Sequence, residues 1–303
     1  MRVFVTGASG YIGFAVASAL SRAGHDVAGL VRDPAKGRRL AAAEIEPVVG
    51  TMGEPAAWVG AARRAQVLVH CAAEYSPKFH ALDRATVDTL LTAATGAGLP
   101  RLVVYTSGVW VMGSTGPAPA DEAAPTNPPP YVAPRVETEK AVLAGNRGAV
   151  RTLVIRPGCV YGGSGSLTAT WFQSAVTEGA ARIVGDGTFR WAMVHLDDLA
   201  DLYVRAAESP FGGEVFHATD RSRFTVRECA EAASRAAGRG GSVRLVPLPQ
   251  AREGMGPMAD CLVLDQHVDS RKAVRLLGWQ PRHGGFADAA PRLFAAWQAS
   301  AAS

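Results

Sequence analysis

Three glycines near the start of the chain stand where a backbone could bind phosphate. Gly7, Gly10 and Gly13 follow a short apolar run at residues 3–5 and precede an Ala-rich, helix-like stretch. At such a strand–turn–helix junction the first glycine allows a tight turn, the second admits a pyrophosphate, and the third lets the helix pack closely. The free N–H groups at the helix start attract phosphate oxygens. The spacing therefore predicts a dinucleotide site formed by Gly7, Ser9, Gly10, Tyr11, Ile12 and Gly13.

The composition is that of a folded protein with a large core. Of 303 residues, 48% are hydrophobic and 19% are charged, which suits one large domain or two unequal ones. The net charge of +4 comes from basic residues spread along the whole length, so it does not predict a nucleic-acid surface. No apolar run reaches the roughly 18 residues of a membrane span, and the four cysteines have neither metal nor disulfide spacing. We therefore expect a cytoplasmic protein that binds neither nucleic acid nor a membrane.

Strand-like and helix-like segments alternate through the first half of the chain. The composition predicts strands at 27–31, 67–71, 102–106 and 152–156, and helices around 14–23, 58–62, 79–97 and 136–144. Alternation with short connections gives right-handed crossovers and a parallel sheet with helices on both faces. After residue 158 the pattern loosens, and further helices are predicted at 197–208, 224–237 and 270–277.

This order of elements predicts an α/β fold: a Rossmann-type doubly wound parallel sheet with a smaller C-terminal substrate lobe. Residues 1–160 plus about 194–218 would form the dinucleotide-binding domain, and about 161–193 plus 219–303 the small lobe. Ligands of doubly wound folds bind beyond the carboxyl ends of the strands. We therefore expect the lobe to cover the reactive end of the cofactor.

Five segments, in order, resemble landmarks of the extended short-chain dehydrogenase/reductase family of the epimerase/dehydratase type. Residues 5–13 are similar to its TGxxGxxG turn, 68–73 to its fourth strand, and 155–162 to its RPxxVYG segment; 194–200 and 277–281 are similar to later landmarks. The resemblance covers most of the chain. It implies a homodimer, and it implies that the cofactor contacts Ala72, Ala73, Pro157, Gly158 and Val160.

The end of the second strand distinguishes NAD from NADP in this family. An acidic side chain there bonds the ribose 2′-OH, whereas arginine accommodates a 2′-phosphate. Here Arg32 follows the strand and Lys36 is near, while Asp33 is an alternative acid that falls in the turn beyond it. Thr51 stands in place of an adenine-contacting Asp, so adenine would pack on Met52. We predict NADP(H) rather than NAD(H).

Tyr131 and Arg135 resemble the family's YxxxK motif, with Arg in place of Lys. The resemblance implies that the tyrosine gives a proton to a carbonyl oxygen while hydride arrives from the nicotinamide. The cation lowers the pKa of the phenol from about 10, but a guanidinium cannot shuttle the proton. The family's Ser or Thr falls by count on Gly108, so Ser107 or Thr106 is the expected partner of the substrate oxygen. Thr106, Tyr131 and Arg135 would also contact the cofactor.

Aromatic and methionine residues are concentrated in segments that face the substrate in this family. This favours a fairly hydrophobic small molecule, with contacts predicted at Tyr75, Trp110, Tyr161, Trp171, Trp191 and Met193. A nucleotide sugar would instead need arginines for its phosphates, and Arg182, Arg190 and Arg223 are the candidates.

These observations predict an NADPH-dependent reductase of a carbonyl or related unsaturated centre, with Tyr131 as general acid. Three alternatives stay open. The protein is an NAD-dependent nucleotide-sugar epimerase or dehydratase that recycles its hydride, or a sensor that binds NADP(H) without turnover. In the third, Tyr131 only positions cofactor or substrate and another acid acts.

Overall fold

The structure is a computed structural model that describes residues 1–74, 76–96, 99–163 and 166–301. The strands of these residues are β1 (Arg2–Thr6), β2 (Asp26–Val31), β3 (Glu46–Val49), β4 (Val67–His70), β5 (Arg101–Thr106), β6 (Val150–Pro157), β7 (Cys159–Tyr161), β8 (Ala181–Val184), β9 (Met193–His195), β10 (Glu214–Ala218) and β11 (Val243–Val246). Each strand predicted from the sequence is present, whereas β3 and the five strands from β7 to β11 are not among the predictions.

The α-helices of the same residues are α1 (Tyr11–Arg22), α2 (Pro34–Ala42), α3 (Val59–Arg64), α4 (Phe79–Thr95), α5 (Ala133–Ala144), α6 (Ala169–Glu178), α7 (Leu196–Glu208), α8 (Val226–Ala236), α9 (Leu248–Met255), α10 (Met258–Cys261), α11 (Arg271–Leu277) and α12 (Phe286–Ala301). A short 3₁₀ turn, Val109–Met112, follows β5. None of the helices in the described ranges has the length and apolar character needed to cross a membrane.

The main sheet confirms the predicted Rossmann-type α/β fold. Seven of the described strands form it in the order β10-β6-β5-β4-β1-β2-β3, and every pair in it is parallel. The order changes direction between β1 and β4, and ligands of doubly wound sheets bind at such a switch point. Two smaller parallel pairs, β7 with β9 and β8 with β11, belong to the C-terminal half.

Two large hydrophobic clusters lie in different parts of the chain. One packs α1 and α7 against the sheet. The other joins the aromatic residues of α6 to α8 and α12, and it draws mainly on the ranges predicted for the small lobe. Ala273, Leu277 and Trp279 fall within residues 219–303, yet they pack with the sheet cluster. The helix α11 therefore packs with the sheet, and the domain boundaries stay a prediction.

One outer edge of the sheet is formed by β10. Its His217 N–H donates a hydrogen bond to the carboxylate of Glu122 at 2.8 Å, so a side chain takes the position that another strand would occupy. Burial raises the pKa of Glu122, although the bond from His217 N–H opposes that rise.

Candidate active site

Backbone contacts in the glycine turn between β1 and α1 leave no room for a side chain at Gly7 or at Gly13. Gly7 has φ +70°, and a Cβ on it would lie 2.6 Å from Ala72 Cα. A Cβ on Gly13 would overlap the Gly7 carbonyl oxygen. The N-cap of α1 is Gly10, which has no side chain to bond the first N–H groups of the helix. The turn, with Ser9 in it, is therefore a backbone cradle that suits an anion.

The second strand ends at Val31, and a basic, exposed corner follows it. The Arg32 side chain is 70% exposed and lies 3.9 Å from Glu74. Asp33 is the N-cap of α2, where its carboxylate accepts a hydrogen bond from Ala35 N–H at 2.8 Å. Lys36 is exposed in the first turn of α2. The acid beyond the strand is thus engaged by its own helix, because an Asp before N1 Pro caps the free N–H groups.

At the end of β3 the chain turns beside Trp58. The Thr51 carbonyl accepts a hydrogen bond from the Trp58 indole at 2.8 Å, and Met52 is half-buried next to it.

A cavity of about 250 Å³ lies between the glycine turn, the carboxyl ends of β4, β5 and β6, and the start of α5. The predicted site residues in its lining come from distant parts of the sequence, from residue 11 to residue 160. The predicted residues that line it are Tyr11, Ile12, Ala72, Ala73, Thr106, Ser107, Trp110, Tyr131, Arg135, Pro157, Gly158 and Val160. Three predicted cofactor residues do not line this cavity: Arg32 directly follows β2, Lys36 lies in α2, and Met52 follows β3.

Two hydroxyls follow one another at the end of β5, and their contacts differ. The Thr106 hydroxyl is 2.6 Å from the Tyr203 hydroxyl on α7 and 3.3 Å from Cys71 Sγ. Ser107 is 7% exposed, and its Oγ has no hydrogen-bond partner among the described residues. A buried hydroxyl without a partner costs free energy until a ligand or water bonds it. The contacts therefore favour Ser107 over Thr106 as the partner of a substrate oxygen.

Gly108 occupies the position where the family resemblance led us to expect Ser or Thr. Its backbone is extended, with φ −179° and ψ 153°, a conformation that any residue adopts. The nearest atom to a Cβ built on it is Pro157 O at 3.9 Å. The packing around residue 108 therefore does not require glycine at this position.

Tyr131 lies in a turn that precedes α5, and Arg135 lies within the helix. The helix begins at Ala133 with Pro134 in its first turn. The Arg135 guanidinium donates to Thr106 O at 2.9 Å, and its Cζ is 5.0 Å from the centre of the Phe79 ring. A cation at this position is fixed to the end of β5, beside the Ser107 backbone.

The helix α5 is held on β6 by a buried ion pair. Glu139, one turn after Arg135, accepts two hydrogen bonds from Arg156, at 2.9 and 2.5 Å. Glu139 is 2% exposed and Arg156 is 6% exposed. A bidentate pair of this kind fixes orientation, and removing one partner would leave a buried charge. Arg156 belongs to the RPxxVYG-like segment, so that segment anchors the helix that carries Arg135.

Two cysteines line the cavity, and neither is a thiolate at neutral pH. Burial raises the pKa of Cys71 to about 11 and that of Cys159 to about 12. Because the thiolate is the nucleophilic form, covalent catalysis by these side chains is disfavoured.

The predicted substrate residues have different positions in the structure. Trp110 lines the cavity, whereas Tyr75 lies outside the described residues. Trp171 stacks on Trp191 with ring centres 5.3 Å apart, and Tyr161 packs edge-on against Phe286. These three aromatic side chains, Tyr161, Trp171 and Trp191, are buried in the hydrophobic cluster of α6, α8 and α12. They do not line the cavity, so their contact with a substrate stays a prediction.

A second cavity, of about 720 Å³, lies beyond the carboxyl end of β10 and includes Met193 in its lining. Arg190 and Arg223 also line it, together with Arg221 and Arg271. The Arg190 guanidinium donates to Arg223 O at 2.9 Å and to His267 Nε2 at the same distance. Arg182 lies on β8, beside Glu178, and does not line this cavity.

Some cavity residues were not among the sequence predictions. Cys71 and Cys159 lie inside the two segments that resemble family motifs, so the motifs themselves could have indicated them. Phe79 and Val132 lie at the starts of two helices, and Ser166 and Leu167 follow β7 at a loop; single-sequence patterns give no signal for them. The complete set is Cys71, Phe79, Val109, Val111, Val132, Cys159, Ser166 and Leu167, with Gly108.

Comparison with known proteins places this geometry in a family. The sequence model of the NAD dependent epimerase/dehydratase family matches residues 3–218. A UDP-glucose 4-epimerase from Mycolicibacterium smegmatis is 31% identical, over 93% of this chain and 94% of its own length. A 4-hydroxy-2-methyl-3-oxo-4-farnesyl-3,4-dihydroquinoline-1-oxide ketoreductase from Stigmatella aurantiaca is 28% identical, over 75% of this chain and 70% of its own length.

The fold is shared with solved structures at low sequence identity. A dTDP-glucose 4,6-dehydratase from Streptomyces venezuelae, solved with NAD bound, is 24% identical and has a TM-score of 0.83 over 98% of this chain and 97% of its own. The family match covers more than half of the chain, and the fold agrees with it. This protein therefore belongs to the NAD dependent epimerase/dehydratase family and is an NAD(P)-dependent oxidoreductase of the extended short-chain dehydrogenase/reductase class.

Proposed function

We propose that the protein is an NADPH-dependent reductase of a carbonyl or related unsaturated centre on a fairly hydrophobic small molecule, with Tyr131 as general acid. One observation carries this proposal: Tyr131, Ser107 and Arg135 line the same cavity as the end of the glycine turn. A proton donor, a hydroxyl for the substrate oxygen and a fixed cation are the groups that carbonyl reduction needs.

The residues of the turn fit a dinucleotide. The three glycines leave only backbone around the uncapped start of α1, and this suits a pyrophosphate. A bound nicotinamide would supply the hydride. Pro157, Gly158 and Val160 would hold the nicotinamide end, because they line the same cavity as Tyr131 and Ser107.

The corner after β2 supports NADP(H) rather than NAD(H). The carboxylate of Asp33 is already bonded to Ala35 N–H, whereas Arg32 and Lys36 are exposed and able to meet a 2′-phosphate. We expect Arg32→Ala to weaken NADPH binding by about 10- to 150-fold while changing NADH binding little, because one charge-assisted contact is worth about 1.5–3 kcal/mol. Fluorescence titration with both cofactors measures this, and equal losses for both would contradict the assignment.

In the proposed reaction each side chain has a separate task. Tyr131 gives its hydroxyl proton to the substrate oxygen as hydride reaches the carbonyl carbon, and an alcohol forms. The Ser107 hydroxyl donates a hydrogen bond to the same oxygen. Arg135 supplies a fixed positive charge, but it cannot return a proton to the phenolate, so that proton comes from solvent.

The substrate proposal is supported by the apolar character of the cavity. Trp110, Val109 and Phe79 line it beside the three polar groups, and Leu167 lies at its edge. The ketoreductase relative acts, by its name, on a farnesyl-bearing quinoline oxide, and other relatives are named as reductases of a 2-alkyl-3-oxoalkanoate and of a ceramide.

The proposal is tested by NADPH loss on a panel of aromatic and long-chain ketones and α-diketones that includes 1-phenyl-1,2-propanedione. Tyr131→Phe should lower kcat by about 10²- to 10⁴-fold, because a general acid contributes that much. The affinity for NADPH should stay within about threefold, which shows that the site is intact. Unchanged turnover in Tyr131→Phe would mean that another acid acts, and no NADPH loss on any substrate would favour a sensor.

A nucleotide-sugar epimerase or dehydratase is the second candidate, and the arginine-lined cavity of about 720 Å³ favours it. The identity of 31% with a UDP-glucose 4-epimerase points the same way. Such an enzyme would retain NAD and regenerate it. Mass spectrometry of the purified protein distinguishes the two, since tightly held NAD supports the epimerase and a cofactor-free protein that binds NADPH supports the reductase.

We further propose that the enzyme works in the cytoplasm as a homodimer. The four free cysteines fit a reducing compartment, and the family resemblance supports the dimer. Sedimentation velocity at micromolar concentration would test the oligomeric state, and a single monomer peak would contradict it.

A further inference from the structure

The first turn of α4 contacts both members of the Tyr131–Arg135 pair. The Phe79 ring lies under the Arg135 guanidinium, with 5.0 Å from Cζ to the ring centre. The next residue, His80, places its Nε2 2.8 Å from the Tyr131 carbonyl oxygen. The His80 and Tyr131 rings meet edge-on, with centres 6.2 Å apart at 73°. Two adjacent residues thus contact the cation and the tyrosine.

The way in which α5 begins places the Tyr131 carbonyl where a side chain of another element can bond it. In a regular α-helix the N–H of residue 135 would donate to the carbonyl of residue 131. Here Arg135 N–H donates to Val132 O at 3.0 Å, and Pro134 has no N–H to give. The Tyr131 carbonyl therefore lies outside the regular hydrogen-bond pattern of the helix, and His80 bonds it from a different element.

The bond also fixes which nitrogen of His80 carries a hydrogen. A carbonyl oxygen only accepts, so Nε2 must be the donor. His80 Nδ1 is buried and has no hydrogen-bond partner among the described residues. A side chain that presents a donor at the Nε2 position can therefore replace the imidazole, and one that presents it at the Nδ1 position cannot.

The helix that carries His80 is itself held firmly. Asp83, three residues further along α4, accepts a hydrogen bond from the Tyr105 hydroxyl at 2.6 Å and lies 3.2 Å from His70 Nε2. All three side chains are 1% exposed or less. Burial disfavours the charged form of Asp83, yet the interactions with His70, Arg135 and Tyr105 together outweigh it and hold the pKa below its ordinary value. A charged, bonded Asp83 fixes the start of α4 against β4 and β5.

We infer that His80 is a positioning residue for Tyr131: its Nε2–H bond to the Tyr131 carbonyl holds the turn before α5 so that the phenol faces the substrate. This inference rests on the proposed role of Tyr131 as general acid. The bond spans 51 residues of sequence and joins α4 to the catalytic turn. A displacement of about 1 Å at a reacting group lowers the rate by about 10²-fold.

The experiment compares His80→Gln with His80→Asn, two neutral amides of similar polarity. Only the Gln amide nitrogen reaches the position of Nε2, whereas the Asn amide nitrogen takes the position of Nδ1. With NADPH and 1-phenyl-1,2-propanedione, we expect kcat of His80→Gln within about threefold of the native enzyme and kcat of His80→Asn lower by about 10- to 100-fold. NADPH affinity, measured by fluorescence, should be unchanged in both. Equal kcat for the two variants would overturn the inference.

A double-mutant cycle separates this inference from the proposed function. Adding His80→Asn to Tyr131→Phe should lower the residual kcat by no more than about twofold, because the group that His80 positions is already absent. If His80→Asn lowers kcat as much in Tyr131→Phe as in the native enzyme, the positioning role is overturned and the proposed function is not. Full activity of Tyr131→Phe by itself would overturn both the proposed function and the inference.

Discussion

Two glycine-containing turns border the cavity, and they differ in what a side chain would meet there. At the turn between β1 and α1, a Cβ on Gly7 would lie 2.6 Å from Ala72 Cα, and one on Gly13 would overlap the Gly7 carbonyl. At the turn after β5, a Cβ on Gly108 would have its nearest neighbour at 3.9 Å. The first turn agrees with the family pattern at every glycine, and the second departs from it.

This difference shows that the two turns are constrained by different physics. Backbone packing dictates the cofactor turn, because rigid main-chain atoms cannot move aside for a methyl group. Under the proposed function, the substrate turn after β5 is constrained by the chemistry of its side chains instead, and the Ser107 hydroxyl takes the role expected of residue 108. The cofactor end should therefore tolerate no side chain, whereas the substrate end should tolerate a side chain but not the loss of its hydroxyl.

The largest effect is expected from removing the hydroxyl at the substrate turn. Ser107→Ala should lower kcat by about 10²-fold, because losing one donor to a developing oxyanion costs that much. Adding Gly108→Ser to it should restore about tenfold if the open space at residue 108 admits a working hydroxyl. Steady-state kinetics with NADPH measures both variants. A kcat of Ser107→Ala close to the native value would remove the distinction between the two turns.

The next effect is expected at the cofactor turn. Gly13→Ala should weaken NADPH binding by about 10- to 100-fold, because overpacking against backbone costs about 1–3 kcal/mol. Gly60→Ala, at an exposed position of α3, is the matched control, since the nearest neighbour of the added methyl group is the end of the Arg64 side chain at 3.9 Å. The control should leave NADPH affinity unchanged. Equal affinity in Gly13→Ala and Gly60→Ala would show that the cofactor turn has more room than its backbone contacts indicate.

A smaller effect is expected from restoring the family's lysine. Arg135→Lys should lower kcat by about fivefold, because lysine loses the planar contact with Phe79 and the aligned bond to Thr106 O, worth about 1 kcal/mol. Kinetics at neutral pH measures the change. An increase in kcat would mean that proton return through lysine outweighs these contacts.

The smallest effect is expected for stability at residue 108. Gly108→Ala should change the free energy of unfolding by no more than about 0.5 kcal/mol, since the extended backbone and the open space both admit a methyl group. Urea denaturation of Gly108→Ala, of Gly13→Ala and of the native protein measures the three free energies of unfolding. A loss at residue 108 as large as that at residue 13 would contradict the comparison.

Local signals were sufficient to predict the sheet and the glycine turn. Continuous apolar runs marked β1, β4 and β5. The helix predicted at 224–237 is present as α8, and Thr225 at its start forms a capping box with Glu228. The helix α2 was missed, although Asp33 followed by Pro34 is a helix-start signal. Asp33 is expected in a turn, and in the structure it caps the helix that follows this turn.

The rest of the site depends on tertiary packing that a single sequence does not contain. In the sequence, Trp171 and Trp191 cannot be told from aromatic residues that line a pocket. Only the structure shows that they stack on each other within a hydrophobic cluster. Likewise, Ser107 and Thr106 are adjacent hydroxyls, and it is Tyr203, almost a hundred residues away, that engages one of them. His80 had no motif at all, since its partner is 51 residues distant.

The carboxylate of Glu122 at the outer edge of β10 bears on aggregation through that edge. An exposed strand edge is a template on which another chain can add a strand, and this is a common route to aggregation. Because His217 N–H is already bonded to Glu122, this part of the edge offers no free donor to an incoming strand. Glu122 therefore takes up a backbone donor that the addition of another strand to β10 would use.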